Sequence, residues 1–240
     1  SNSLSTDINA TTLGEVNLDL SASLTRKKAH VLLGANGFFF NTPHDINRDN
    51  FTDITLQNRL SVFAKWNIDR PRQLPASIMA RLLTERRWGG ELPWQRKFMG
   101  TDSIYGETID TRRAELIGQY GLSSHTLLEY SYNFHWQDSY YGTTWFKASQ
   151  HTAFAQLRWQ KTIGRHQWLA GIPFRYVWYD DNTTATRKPQ GNNPSIQTMK
   201  ALFVQDEWRA TNRLTALVGV RYEYNNLQGS VVAPRLALKY

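Results

Sequence analysis

The feature that most constrains this chain is a hydrophobic period of two residues that returns along most of its length. Leu128, Tyr130, Tyr132, Phe134 and Trp136 alternate with Glu129, Ser131, Asn133 and His135. Trp168, Ala170, Ile172, Phe174, Tyr176 and Trp178 repeat the scheme, as do Val16, Leu18, Leu20, Ala22 and Leu24, and Ala216, Val218, Val220, Tyr222 and Tyr224. Successive side chains of an extended strand point to opposite faces, so this period specifies strands with one greasy and one wet face; helical spacing is seldom met. Eleven such segments can be counted, near residues 14–26, 29–41, 55–69, 75–88, 110–122, 126–139, 151–163, 167–180, 199–210, 214–226 and 231–240. Residues 1–12 carry no comparable signal.

The connections alternate in length. Arg26–Lys28, Arg70–Leu74, Ser123–His125, Gly164–His166 and Thr211–Arg213 are tight, whereas Thr42–Ile54, Gly89–Ile109, Tyr140–Gln150 and Asp181–Thr198 are long and rich in Asn, Asp, Gly, Thr and aromatics. Strands of ten or more residues, joined by short turns on one side and long loops on the other, are the signature of a transmembrane β-barrel with short periplasmic turns and long extracellular loops. A soluble sandwich would use shorter strands and place charge on its solvent face. Here the second face mixes Ser, Asn, Gln, Arg, Glu and Gly, as the wall of a hydrated lumen requires. Trp66, Trp136, Tyr140, Trp159, Trp168, Trp178, Trp208, Tyr222 and Tyr224 fall near segment ends, where interfacial girdles lie.

Composition excludes several alternatives. No window approaches eighteen uncharged apolar residues, so no helix spans a membrane. The absence of cysteine removes disulfide scaffolds, thiolate zinc sites and cysteine nucleophiles. Histidines 30, 44, 125, 135, 151 and 166 show no ligand spacing, and neither a nucleophile elbow nor a phosphate-binding glycine loop is present. Neighbouring acids such as Asp180 and Asp181 point to opposite faces of a strand, so catalysis is not expected. The net charge of +8 is spread along the sequence, and the aromatics lie opposite the basic residues, so nucleic-acid binding is not expected either.

An odd number of strands cannot close an up-and-down antiparallel barrel, and the sequence stops on strand-like residues. Both imply part of a larger barrel. The run Leu202-Phe203-Val204-Gln205-Asp206-Glu207-Trp208-Arg209, then Arg213-Leu214, Gly219-Val220-Arg221-Tyr222 and Ala233-Pro234-Arg235-Leu236-Ala237-Leu238, resembles a stretch of TonB-dependent outer-membrane receptors. Arg87-Trp88-Gly89-Gly90-Glu91, Ile104-Tyr105-Gly106-Glu107 and Tyr179-Asp180-Asp181-Asn182 are similar to the Bacteroidetes-type, cobalamin-receptor-like branch. The resemblance implies an all-β, antiparallel barrel of about twenty-two strands, of which residues 1–240 would be one partial domain without the gating plug. It also implies a bacterial outer-membrane location among lipid and lipopolysaccharide, and energy from TonB through that plug. The expected cargo is a small organic or metal-chelate ligand, a cobalamin or other corrinoid first and a ferric siderophore next, with a surface lipoprotein as a further partner. A passive porin and a soluble carbohydrate-binding β-sandwich are the alternatives.

Two local sites stand out. Asp45, Asn47, Asp49, the Phe51 carbonyl and Asp53 follow a calcium-loop spacing, so Ca2+ is the expected cofactor of the 45–53 loop. Asn50 and Leu56 depart from that pattern at the turn glycine and the final glutamate, and an Asp/Asn loop capping its own amides fits the same residues. Trp88, Trp94, Tyr105, Tyr140, Tyr141 and Trp145 sit at loop bases, where amphipathic rings would meet an incoming ligand. Packing between loops is the alternative use of these rings.

Overall fold

The computed structural model describes residues 2–189 and 191–240. Its strands in chain order are β1 (Ser3–Ala10), β2 (Glu15–Arg26), β3 (Ala29–Phe40), β4 (Leu56–Ile68), β5 (Ala76–Gly90), β6 (Gly106–Gly121) and β7 (Thr126–Tyr141). There follow β8 (Thr144–Ile163), β9 (His166–Asp181), β10 (Arg187–Lys188), β11 (Gly191–Asn192), β12 (Ser195–Arg209), β13 (Thr215–Asn225) and β14 (Gly229–Lys239). Twelve of them form one antiparallel sheet in sequence order, with β9 pairing directly to β12 and β10–β11 standing apart as a small hairpin. Among the described residues β1 pairs only with β2, and β14 only with β13, so both edges of the sheet are open.

The sheet therefore has twelve strands where the periodicity predicts eleven. The extra one is β1, whose alternation of Leu4, Thr6, Ile8 and Ala10 is diluted by Thr and Ala, and which is held in register by Ile8 opposite Leu18 and Ala10 opposite Val16. An even count removes the parity objection to closure. The expected long loop Tyr140–Gln150 is instead a two-residue hairpin, Gly142–Thr143, between β7 and β8. Gly142 has φ 59°, the left-handed geometry that a tight hairpin needs, and Tyr141 pairs with Thr144 immediately beside it. The polar loop-like letters of that stretch belong to strands running on beyond the apolar zone.

Register aligns the apolar residues of successive strands. Val62, Leu82, Ala114, Phe134, His151, Trp178 and Ile196 form one row across seven strands. Among the described residues no second layer covers this face: Leu82 is 59% exposed, Ile172 59%, Leu202 57% and Leu236 72%. The buried hydrophobic residues among those described are only Phe40, Leu56, Ala76, Ala148 and Ala201. A sheet with this much uncovered aliphatic and aromatic surface would lose about 25 cal/mol for every Å² left in water, so hydrocarbon is the solvent that the face fits. The backbone suits the same solvent, because interior strands are hydrogen-bonded on both sides.

Placing a charge in the middle of the apolar row tests this assignment. Leu82→Arg is expected to lower stability in lipid vesicles by about 2–4 kcal/mol, read by urea unfolding, because an arginine at mid-depth on the lipid face must be desolvated. Its neighbour Leu83→Arg, on the polar face, should cost far less. Equal losses from the two would defeat the two-face reading.

Candidate functional site

The polar face carries a cross-strand network of acids, arginines and amides. Arg81 on β5 meets Glu115 on β6 at 2.7 Å, and the Asn133 side-chain amide on β7 donates to the same carboxylate at 3.2 Å. Glu85 holds Arg87 at 2.8 Å and accepts from the Gln57 amide at 2.6 Å. Glu129 takes Arg158 at 3.3 Å and Gln156 at 3.0 Å, and Arg221 meets Glu223 at 2.6 Å. Arg81–Glu115 and Arg158–Glu129 join facing strands, whereas Glu85–Arg87 and Arg221–Glu223 pair two residues apart on one strand, and the remaining lone pairs take amide donors. A wall built this way is hydrophilic yet largely neutral in itself.

A hollow of about 400 Å³ opens on this face beside Asp7, Asp19, Asn36, Arg59, Phe63 and Arg81. Asn36 ties the acidic side of the hollow to the basic one: its amide donates to Asp19 at 2.8 Å, while its oxygen accepts from Arg59 at 3.2 Å. Phe63 lies flat against β3 because position 34 is glycine; a Cβ there would stand 2.2 Å from the ring. Polar, charged and aromatic groups in one concavity equip it to hold a hydrophilic solute by several weak contacts.

At the long-loop end, the connections 41–55 and 91–105 are sewn together. Phe51 bridges Glu91, the Thr52 N–H donates to the Gly90 carbonyl at 2.9 Å, and the Leu92 N–H donates to Asn50 at 2.9 Å. Tyr105 fastens the far side, its N–H reaching the Glu91 carboxylate at 2.7 Å and its hydroxyl donating to Glu107 at 2.5 Å. That bond to Glu107, with burial and the glutamate charge behind it, raises the Tyr105 phenol above its ordinary range.

The 45–53 loop spends its side chains on its own backbone. Asp45 accepts from the N–H groups of Asp49 at 3.1 Å and Asn50 at 3.0 Å, Asp49 accepts from Phe51 at 2.9 Å, and Asp53 accepts from the Ile46 N–H. Arg48 and Asn50 take positive φ of 64° and 69°, which these bonds sustain. The Asn47 oxygen converges with Asp45 on the Asp49 N–H. Among the described residues no three His or acidic side chains gather in a group able to hold a metal ion.

The six aromatic candidates separate into two groups. Strand parity puts Trp88, Tyr140 and Trp145 on the apolar face, where Tyr140 and Trp145 stack at 6.4 Å and the Trp145 indole donates to Asp138 at 2.8 Å. Trp94 joins them by folding over Gly106, and with Trp88, Asn58, Arg86, Arg96 and Met99 it lines an outward hollow of about 400 Å³. Tyr141 takes the polar face opposite Glu107, and Tyr105 is tied to that glutamate. The reason is the shortened β7–β8 turn: residues expected in a loop obey strand parity instead.

One knot had no signal in the sequence beyond the Tyr179–Asn182 resemblance. The Asp181 carboxylate, 7% exposed, accepts from the Tyr179 hydroxyl at 2.8 Å, the Thr183 N–H and hydroxyl at 2.8 Å each, and the Thr186 hydroxyl at 2.9 Å. It anchors the loop that carries β10 and β11.

The family described as TonB dependent receptor-like, beta-barrel, matches residues 9–240. The chain belongs to that family. It is a family of outer-membrane transporters and receptors, not of enzymes. Receptors of known structure share the fold at low identity. The ferric enterobactin receptor of Pseudomonas aeruginosa superposes with a TM-score of 0.64 at 8% identity, over 99% of this chain and 40% of that one. The siderophore receptor PirA of Acinetobacter baumannii gives 0.63 at 8% identity, over 99% and 40%, and the ferric-catecholate import receptor Fiu of E. coli K12 gives 0.57 at 9%, over 99% and 50%. The chain thus spans two fifths to one half of these receptors. No curated protein sequence matches it.

The Asp181 knot yields a direct expectation. Asp181→Ala removes the shared acceptor of four donors and should speed tryptic cleavage after Arg187 by about tenfold, as the freed loop opens more often. Unchanged cleavage would show that the loop is held by something else.

Proposed function

We propose that this chain forms part of the barrel of an outer-membrane receptor that imports a scarce metal chelate, with a ferric siderophore as the favoured cargo. The observation that carries the reading is the two-faced sheet: an uncovered apolar side to meet lipid and a polar side whose arginines and glutamates pair with each other, two of the pairs across strands, to line a route. Such a wall passes hydrophilic solutes without offering one deep, permanent site. Family membership adds the energised mode of uptake, and the neighbouring receptors, named for ferric enterobactin, siderophores and ferric catecholates, favour iron chelates over corrinoids. A corrinoid stays the second candidate, resting on the loop motifs alone. Gating by a plug and contact with TonB belong to the whole receptor and are proposed on the family's account.

Ligand capture is assigned to the polar-face hollow and to the sewn loops above it, with Tyr105 and Tyr141 as the aromatic contacts. Trp88, Trp94, Tyr140 and Trp145 fit the outer interfacial girdle better, since they share the face of the lipid-directed residues. The test is uptake of radiolabelled ferric siderophore and of labelled cobalamin by cells carrying the full-length receptor, with and without TonB. TonB-dependent accumulation of iron is expected, and Arg59→Ala together with Arg81→Ala should reduce it several-fold. Ligand-independent conductance in planar bilayers, with no dependence on TonB, would replace this reading by a passive porin.

Calcium ordering of the 45–53 loop is a second proposal, supported by the calcium-loop spacing of Asp45, Asn47, Asp49, Phe51 and Asp53. Millimolar calcium should then raise the melting temperature of the wild type and leave the Asp45→Ala, Asp49→Ala double variant unmoved. An identical response from both proteins removes calcium.

A further inference from the structure

The sequence scatters its basic excess, but the topology gathers it. All five connections at one end of the sheet are short, spanning residues 27–28, 69–75, 122–125, 164–165 and 210–214. They hold Lys27, Lys28, Arg70, Arg72, Arg165 and Arg213 against a single acid, Asp69. Within three residues of the strand ends beside them stand Arg26, Lys65, Lys161, Arg209 and Lys239 against Glu129, Asp206 and Glu207, so the rim keeps its basic excess. The connections at the opposite end are longer in total yet balanced, with Arg48, Arg96, Lys97, Arg187 and Lys188 offset by Asp45, Asp49, Asp53, Glu91 and Asp102. The net positive charge of the protein is thus concentrated on one rim.

Part of that rim is committed to structure. Arg70 lies 3.8 Å over the Tyr120 ring and donates to the Gly121 carbonyl at 2.6 Å, and Arg165 donates to the Ala210 carbonyl at 3.2 Å. Lys27, Lys28, Arg72 and Arg213 are exposed, and among the described residues none of the four has an ion-pair partner. Within a few residues of these turns, the apolar face carries Trp66, Trp159, Trp168 and Trp208. His166 packs flat on Trp208 at 5.9 Å and near Trp168 at 6.2 Å, and holds Asp206 at 2.6 Å. Tryptophans seek the headgroup level of a bilayer, so they fix the height at which the free cations stand: in or just beyond the layer of lipid phosphates.

We propose that the short-turn rim docks anionic phospholipid headgroups, with Lys27, Lys28, Arg72 and Arg213 meeting their phosphates and the tryptophan belt setting their depth. The occupant is a lipid rather than an acidic soluble protein because the cations are strung along one end of the sheet beside a lipid-directed belt, not in a recessed patch on the polar face. Attraction of this kind is a field effect of several unpaired charges; it needs no single tight site and weakens as salt shortens the Debye length.

The inference rests on the membrane reading given above, and one experiment separates the two. The full-length receptor is reconstituted in phosphatidylcholine bilayers containing equal mole fractions of acyl-brominated phosphatidylcholine or acyl-brominated phosphatidylglycerol, and tryptophan quenching is recorded. Quenching by both lipids, with phosphatidylglycerol stronger by about twofold at low salt, is the expected result. The Lys27→Gln, Lys28→Gln, Arg72→Gln, Arg213→Gln variant should bring the two lipids to parity, and so should about 0.5 M salt on the wild type, which needs no folded variant. Equal quenching of the wild type by the two lipids at low salt overturns the docking rim and leaves the barrel standing, as expected if the rim faces an acidic protein. Absence of quenching by either lipid overturns both.

Discussion

Everything in this structure depends on the demand that hydrocarbon places on a polypeptide backbone: each N–H and C=O must find a partner without help from water. A long antiparallel sheet meets that demand strand by strand, and it does so only if register is kept. Register in turn fixes which side chains share a face, since a slip of one residue would exchange lipid-directed and lumen-directed sets along an entire strand. The row from Val62 through Leu82 and Phe134 to Ile196, and the parallel set of Arg–Glu contacts behind it, are therefore two consequences of one pairing scheme.

The division of labour between the faces follows from what each solvent tolerates. On the lipid side, apolar contact with hydrocarbon replaces contact with a protein core, which is why so few hydrophobic residues are buried by the protein itself. On the other side, bare charges facing a narrow space would repel or trap solutes, and pairing them across strands removes most of that field. Glycine assists by letting rings lie flat, as Gly34 does for Phe63 and Gly171 for Phe203. The loops vary freely in sequence on such a scaffold, which positions them without dictating their chemistry.

How much of this was legible in the sequence depended on how strongly each segment alternates. Strands such as β7, β9 and β13, with aromatics or branched residues at every second place, could be located to within a few residues. β1 was missed because Thr6 and Ala10 on its apolar side are weak markers, and only pairing with β2 reveals it. The β7–β8 connection was misjudged because Asp138, Lys147 and Ser149 look like loop residues, although an outer-face strand position above the hydrocarbon is free to be polar. Site residues suffered from the same error: once the turn shrank to Gly142–Thr143, Tyr140 and Trp145 moved to the outer wall. The calcium-like spacing was visible as letters, but which oxygens point at amides is a matter of loop conformation that spacing cannot supply. The basic rim was invisible for a different reason, since its charges are far apart in sequence and meet only through topology.

The two-residue turn at Gly142 also shapes how the mouth of the protein can move. β7 and β8 run for 16 and 20 residues, well beyond the nine to eleven or so that cross a bilayer, and they stay hydrogen-bonded to the tip. They stand above the membrane as a stiff post. The neighbouring connections 91–105 and 182–194 carry no strand pairing of this length; 91–105 is tied to 41–55 by the Phe51–Glu91 bridge, so beside the post this end of the sheet is braced by contacts between loops.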